Sequence, residues 1–192
     1  MSVAEGRTLT RRQELLVIAA DQFATFGFHS VTVDDIGRAA GISGPALYHH
    51  FAGKEALLGE MLVSISQHLF DGGRRLAARQ SPDLLEQLIL FHCQFAVDNK
   101  SLITVHFRDL IHASTADRRR VRRMQAMYAL LWTSTVVAKN RGVDERTARA
   151  AVHATFGLIN STPFSSTLPR AAMIDLLSAM SSSALSACTT RG

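Results

Sequence analysis

The stretch TVDDIGRAAGISGPALYHHFAGK, residues 32–54, admits few folds. Its punctuation predicts two short helices meeting at a tight turn. Thr32 stands before Asp34 and Asp35, and a hydroxyl N-cap with acids in the first turn suits a helix start. The first helix is expected over residues 33–40, with Ile36, Ala39 and Ala40 on its apolar side. Gly41 ends it, because glycine takes positive φ without a Cβ penalty. Ser43 caps the second helix, over about residues 45–51, and Pro45 sits in its first turn, where a missing N–H costs nothing. Leu47 and Phe51 face a core. Two helices with a short glycine-containing turn form a helix-turn-helix, whose second helix enters the DNA major groove. An ordinary helical hairpin shares that spacing.

The rest of the chain repeats at helical spacing, and no segment alternates long enough to read as a strand. Leu15, Leu16, Ala19, Phe23 and Phe26 predict a helix over residues 10–26, ended by Gly27. After Lys54 a long helix is expected, with Leu57, Leu58, Met61, Leu62, Ile65 and Leu69 as its stripe. Gly72 and Gly73 should bend or weaken it. Ser81 and Pro82 open a helix over 82–99. Further helices are expected over 102–112, 117–140, 144–160 and 171–187, with a proline-containing loop over 161–169. The fold class is all-α.

The wording narrows the reading. The pattern T-V-x-x-I-x-x-A-A-G-I-S-x-x-x-L-Y-H-H-F-x-x-K-E-A-L, together with LLVIAADQFATFG upstream, resembles the DNA-binding domain of the TetR/AcrR family of bacterial regulators. The likeness covers about the first 60 residues. It implies an N-terminal three-helix helix-turn-helix domain, residues 1–55. A helical ligand-binding and dimerisation domain, residues 56–192, would follow. It also implies a homodimer, built on the helices at 144–160 and 171–187 as a four-helix bundle, bound to a near-palindromic double-stranded DNA operator. Both helices are rich in Ala, Ser and Thr, which suits close contact, although they could equally pack within one chain.

By match to the family, Thr32 caps toward a phosphate, and Ser43, Gly44, Pro45 and Ala46 begin the recognition helix. Tyr48 and His49 meet backbone or bases, and Lys54 meets a phosphate. Gly44, Pro45 and Ala46 cannot make bidentate hydrogen bonds to guanine or adenine. Base reading would then rest on thymine methyls, His49 and DNA shape.

The resemblance further implies a small-molecule inducer that releases DNA through a shift of the helix after Lys54. Phe91, His92, Phe95, Phe107, Met124, Met127, Tyr128, Trp132, Phe156 and Asn160 supply a large apolar lining with few polar anchors, as small-molecule sites require. A stripe of this kind also makes plain core, and both readings stand at each position. The lining favours a hydrophobic ligand, such as a fatty acyl compound, an acyl-coenzyme A, a steroid-like molecule or a lipophilic drug. FGLINSTPF resembles a subset of the family associated with lipid metabolism.

Charge does not carry the DNA reading. The chain is +5 overall, but residues 1–54 hold Arg7, Arg11, Arg12, Arg38 and Lys54 against Glu5, Glu14, Asp21, Asp34 and Asp35. The excess lies later, chiefly in DRRRVRR at residues 117–123. Five arginines in the first turns of a helix oppose its dipole. They suit either a solvated face or an anionic partner. His92 and Cys93 are adjacent, and helix neighbours point about 100° apart, so they form no catalytic dyad. His106 and Asp109 could pair on one face as surface groups do. No phosphate loop, GxSxG or HExxH occurs, so an enzyme is not expected, and neither a cofactor nor a metal is implied. A helical adaptor that binds protein without DNA is the other class considered. MSVAEGRTLTRR has no signal-peptide apolar run, and no stretch suits a membrane span. Two cysteines without metal spacing fit a reducing, cytoplasmic setting.

Overall fold

Side-chain caps set several of the helix starts in a computed structural model of the chain, which describes residues 9–140 and 142–188. The Thr10 hydroxyl accepts from Gln13 N, while Thr10 N donates to Gln13 Oε1. This capping box opens α1, Arg11–Phe26. Thr32 and Asp35 close a second box on α2, Val33–Ala39. Ser43 accepts from Ala46 N at the start of α3, Gly44–Tyr48. Next come α4, Lys54–Ala77, and α5, Leu84–Asp98. Then come α6, Lys100–Asp109, and a 3-10 turn, Leu110–His112. The remaining elements are α7, Thr115–Lys139, α8, Glu145–Ile159, the one-turn α9, Thr162–Ser165, and α10, Arg170–Ser186. Among the described residues there is no strand, and no helix is long and apolar enough to cross a membrane.

Several elements differ from the sequence reading. α5 starts at Leu84 because the Ser81 hydroxyl accepts from Asp83 N and Gln87 Nε2, which holds Pro82 in a turn rather than in the helix. Ser114, not Asp117, caps α7: its hydroxyl accepts from Asp117 N at 3.0 Å and donates to Asp117 Oδ2 at 2.7 Å. The loop at 161–169 gains a helical turn, α9, anchored where the Thr162 hydroxyl donates to Ala96 O at 2.9 Å. α4 runs through Gly72 and Gly73 without a break.

Packing groups the chain into two compact units, neither of them a single run of residues. One compact unit is Met1–Ser66 with Asn99–Arg122; the other is Gln67–Asp98 with Arg123–Gly192. The reason is α6, which packs on α1. In that first unit the core is Leu15, Phe23, Ile36, Leu57 and Leu62, all fully buried. Removing each from water is worth about 2 kcal/mol. Arg108 lays its guanidinium across the end of α1, donating to Phe23 O and Ala24 O, while Asp109 accepts from it at 3.0 Å. His112 stacks on Phe28, with centroids 5.3 Å apart, and meets His29 through their Nε2 atoms at 3.2 Å.

In the second unit α10 packs on α5 and α8. Arg170 forks onto Asp98 with two bonds of 2.6 Å, tying the start of α10 to the end of α5.

Candidate functional site

The turn between α2 and α3 is shaped by glycines. Gly41 sits at φ +68°, where a side chain is strained. A Cβ on Gly37 would come 3.0 Å from Ile42 O and 3.1 Å from Gly44 N, so α2 and α3 cross nearly backbone to backbone. Leu47 and Phe51 are buried beneath them, leaving Pro45, Tyr48 and His49 exposed, with Tyr48 at 58%. Ala46 is half-buried, and the exposed Ser43 uses its hydroxyl oxygen as the cap. These residues form one outward face on a short, capped helix.

Three of the expected contact positions are engaged within the chain. Gly44 is buried, since the Asp34 carboxylate lies where its Cβ would be, so it packs on α2 rather than facing outward. The Thr32 hydroxyl donates to Asp35 Oδ2 at 2.6 Å and accepts from Asp35 N, so its proton is used inside the cap. Those bonds from Thr32 hold the Asp35 carboxyl below its usual range. Lys54 turns inward: Nζ donates to Phe28 O at 2.8 Å and Val31 O at 3.0 Å, and lies 4.5 Å from the Phe28 ring centroid. The other described cations among residues 1–54 also have partners within the chain. Arg11 meets Glu14 and Ala40 O, Arg12 meets Glu60 and the Phe51 ring, and Arg38 meets Asp35.

The second unit gathers most of the expected ligand residues. Phe156 lies 5.0 Å from His92, 5.1 Å from Trp132 and 5.6 Å from Tyr128, ring centroid to centroid. The amide oxygen of Asn160 can only accept, so at 3.2 Å it takes the proton on His92 Nε2. Burial holds His92 neutral, its pKa pushed down to about 4. Phe91 and Phe95 meet the ring of His68, which shares the helical spacing of Met61 and Ile65 on α4 but is polar and so does not count in its apolar stripe. Met124 is buried.

Phe107 and Met127 do not join the cluster's interior. Phe107 is 62% exposed and belongs to the first unit, because α6 turns Ile103 and Val105 inward instead. Met127 is 41% exposed, one position before the buried Tyr128 on α7. In the basic run, Arg118 folds back onto Ile111 O and Ala113 O. Arg119, Arg120, Arg122 and Arg123 are exposed.

Comparison with known proteins agrees with the helix-turn-helix. Residues 15–61 match the profile described as bacterial regulatory proteins, tetR family. The chain is 36% identical over 110 residues to the HTH-type transcriptional repressor KstR2 of Rhodococcus jostii (strain RHA1), covering 56% of this chain and 54% of that one. The match therefore spans about half the length of that relative. Two solved structures share the fold over nearly their whole length. A TetR family transcriptional regulator, PfmR, from Thermus thermophilus has a TM-score of 0.79 at 21% identity, covering 93% of this chain and 97% of that one. The ketosteroid transcriptional regulator KstR2 of Mycobacterium tuberculosis has 0.74 at 22%, covering 97% and 98%.

Proposed function

We propose that this chain, whose residues 15–61 match the tetR family of bacterial regulatory proteins, is a DNA-binding transcriptional repressor released by a small hydrophobic ligand. The observation that carries the reading is the outward face of Pro45, Tyr48 and His49 on the Ser43-capped α3, held rigidly by the glycine crossing with α2. A helix exposed in this way and supported from beneath fits a major groove. Tyr48 and His49 supply contacts to backbone or bases; Ser43, Pro45 and Ala46 supply the close approach. Thr32 and Lys54 act in this proposal as builders of the interface, through the α2 cap and the anchor of α4, and Gly44 acts as the spacer that lets α3 lie on α2.

The relative KstR2 is named a repressor, and repression is the sign proposed for this chain. The ligand would enter the second unit around His92, Tyr128, Trp132, Phe156 and Asn160, with Phe91, Phe95 and Met124 beside them. Release requires that the ligand favour the DNA-free conformation by several kcal/mol. Two chains acting together would place two α3 helices about one DNA turn apart.

Selection from a randomised duplex pool tests this reading. It is expected to return a near-palindrome with half-sites about 10 base pairs apart, or a modest multiple. The combined Tyr48→Ala and His49→Ala variant should then bind that duplex at least roughly tenfold more weakly, with an unchanged circular dichroism spectrum. Each lost contact is worth on the order of 1 kcal/mol or more. A pool that yields no enriched sequence, or a double variant that binds as tightly as the parent, overturns the assignment.

A further inference from the structure

Buried polar atoms need partners, and nearly all of them in folded proteins have one. Among the described residues, every buried side-chain nitrogen or oxygen without a hydrogen-bond partner lies in the second unit. Three of them belong to the ring cluster, His92 Nδ1, Tyr128 Oη and Trp132 Nε1, and a fourth, Thr155 Oγ1, to the residue that precedes Phe156 on α8. Their side chains are almost wholly excluded from solvent, at 2%, 4%, 0% and 1% exposure. The first unit, of comparable helix content, has no such atom among its described residues. Poor packing in general does not explain so one-sided a distribution.

The chemistry of the four atoms is complementary. Trp132 Nε1–H can only donate. Because His92 Nε2 carries the proton given to Asn160, Nδ1 of the neutral ring is an acceptor. The Tyr128 hydroxyl is held protonated by burial, and Thr155 can donate or accept. Tyr128 and Trp132 lie one turn apart on α7. The indole N–H is near enough to oppose that burial effect weakly, yet the pair does not reach hydrogen-bond geometry. No Asp, Glu, Lys or Arg belongs to the cluster. A carboxylate or ammonium placed there would be buried without a counter-ion, which is strongly unfavourable.

We propose that this cluster receives an uncharged head group that both accepts and donates a hydrogen bond, a hydroxyl on an apolar body. Its oxygen accepts from Trp132 Nε1 and its proton goes to His92 Nδ1, with Tyr128 and Thr155 completing the shell. The inference rests on the reading of the second unit as ligand-binding. It separates the neutral class from the fatty acids and cationic drugs that an apolar lining alone would equally admit.

Four ten-carbon probes, alike except for their heads, test it by thermal shift on the full chain: decan-1-ol, decan-2-one, decanoate and decyltrimethylammonium. Decan-1-ol is expected to raise the melting temperature by about 3 °C at ten times its dissociation constant. The ketone should do less and the two ions nothing. Tyr128→Phe and Thr155→Val remove a hydroxyl with little change of shape. Each should melt no lower than the parent without ligand, since an unsatisfied buried group is lost, and each should show a smaller decan-1-ol shift. If an ion or the ketone gives the largest shift, ligand binding in this unit stands and the hydroxyl assignment falls. If none of the four shifts the transition, the ligand reading falls and the assignment with it. A drop of several degrees in unliganded Tyr128→Phe and Thr155→Val overturns the assignment too, because those hydroxyls would then be satisfied already.

Discussion

His92 shows how far one residue can be read from its neighbours in sequence. It falls on the apolar stripe of α5, which places it inside, yet nothing in that stripe says which nitrogen is partnered. That depends on Asn160, far along the chain at the end of α8. Lys54 is similar: its motif position suggests a phosphate contact, and the Phe28 and Val31 carbonyls that take its ammonium lie in a loop without periodicity. The imidazole has a consequence for pH. In the unfolded chain it takes up a proton near its ordinary value of 6.5, whereas in the folded protein it stays neutral down to about 4. Between these values the unfolded state binds more protons, so stability is full above pH 6.5 and falls as pH drops toward 4. The loss from this one group is on the order of 3 kcal/mol. Chemical denaturation of the parent and of His92→Gln across that window should show the parent losing more stability toward acid. Parallel curves would mean the ring is not held neutral.

At the scale of the element, caps were the most legible feature. Thr10, Thr32, Ser43 and Asp144 each begin a helix within a residue or so of where hydroxyls and acids placed it. What sequence could not supply is the reason for the glycine pair in α4. Propensity argues for a bend, but the helix continues to Ala77 and uses the absent side chains for approach. A Cβ on Gly72 would overlap the Phe91 ring, and one on Gly73 would lie 2.8 Å from Tyr128 and 3.0 Å from Leu131. Two effects oppose each other in Gly73→Ala. Alanine favours the helix by about 1 kcal/mol, while overpacking a buried ring costs about 1–3 kcal/mol. Tyr128 is buried on all sides and has little room to move, so the second effect should win. Thermal melting is expected to fall by about 2–4 °C. A higher melting temperature would show that the ring has room to give way.

At the scale of the whole molecule, the all-α class was plain from periodicity, and the division into units was not, because α6 joins the first unit through a contact with α1 that neither segment announces. The proposed dimer belongs to this scale as well. The exposed face of α8 runs through Ala150, His153, Ala154 and Gly157, and around Gly157 there is open space for another backbone. Beside it α10 exposes Leu176 and Met180 among Ala172, Ala179 and Ser183. Small residues permit close helix approach and the two large ones supply area, which is how a two-fold interface between identical helix pairs is made. The protein should therefore sediment at twice 21.0 kDa. Leu176→Glu with Met180→Glu places carboxylates on that face without touching the monomer's core. This variant is expected to sediment at 21.0 kDa with an unchanged helical spectrum. Its affinity for the selected duplex should fall on the order of a hundredfold or more, because the second α3 no longer binds as part of one body. A double variant that remains dimeric at micromolar concentration would move the interface elsewhere. A monomer that keeps full affinity would mean that one α3 reads the site alone.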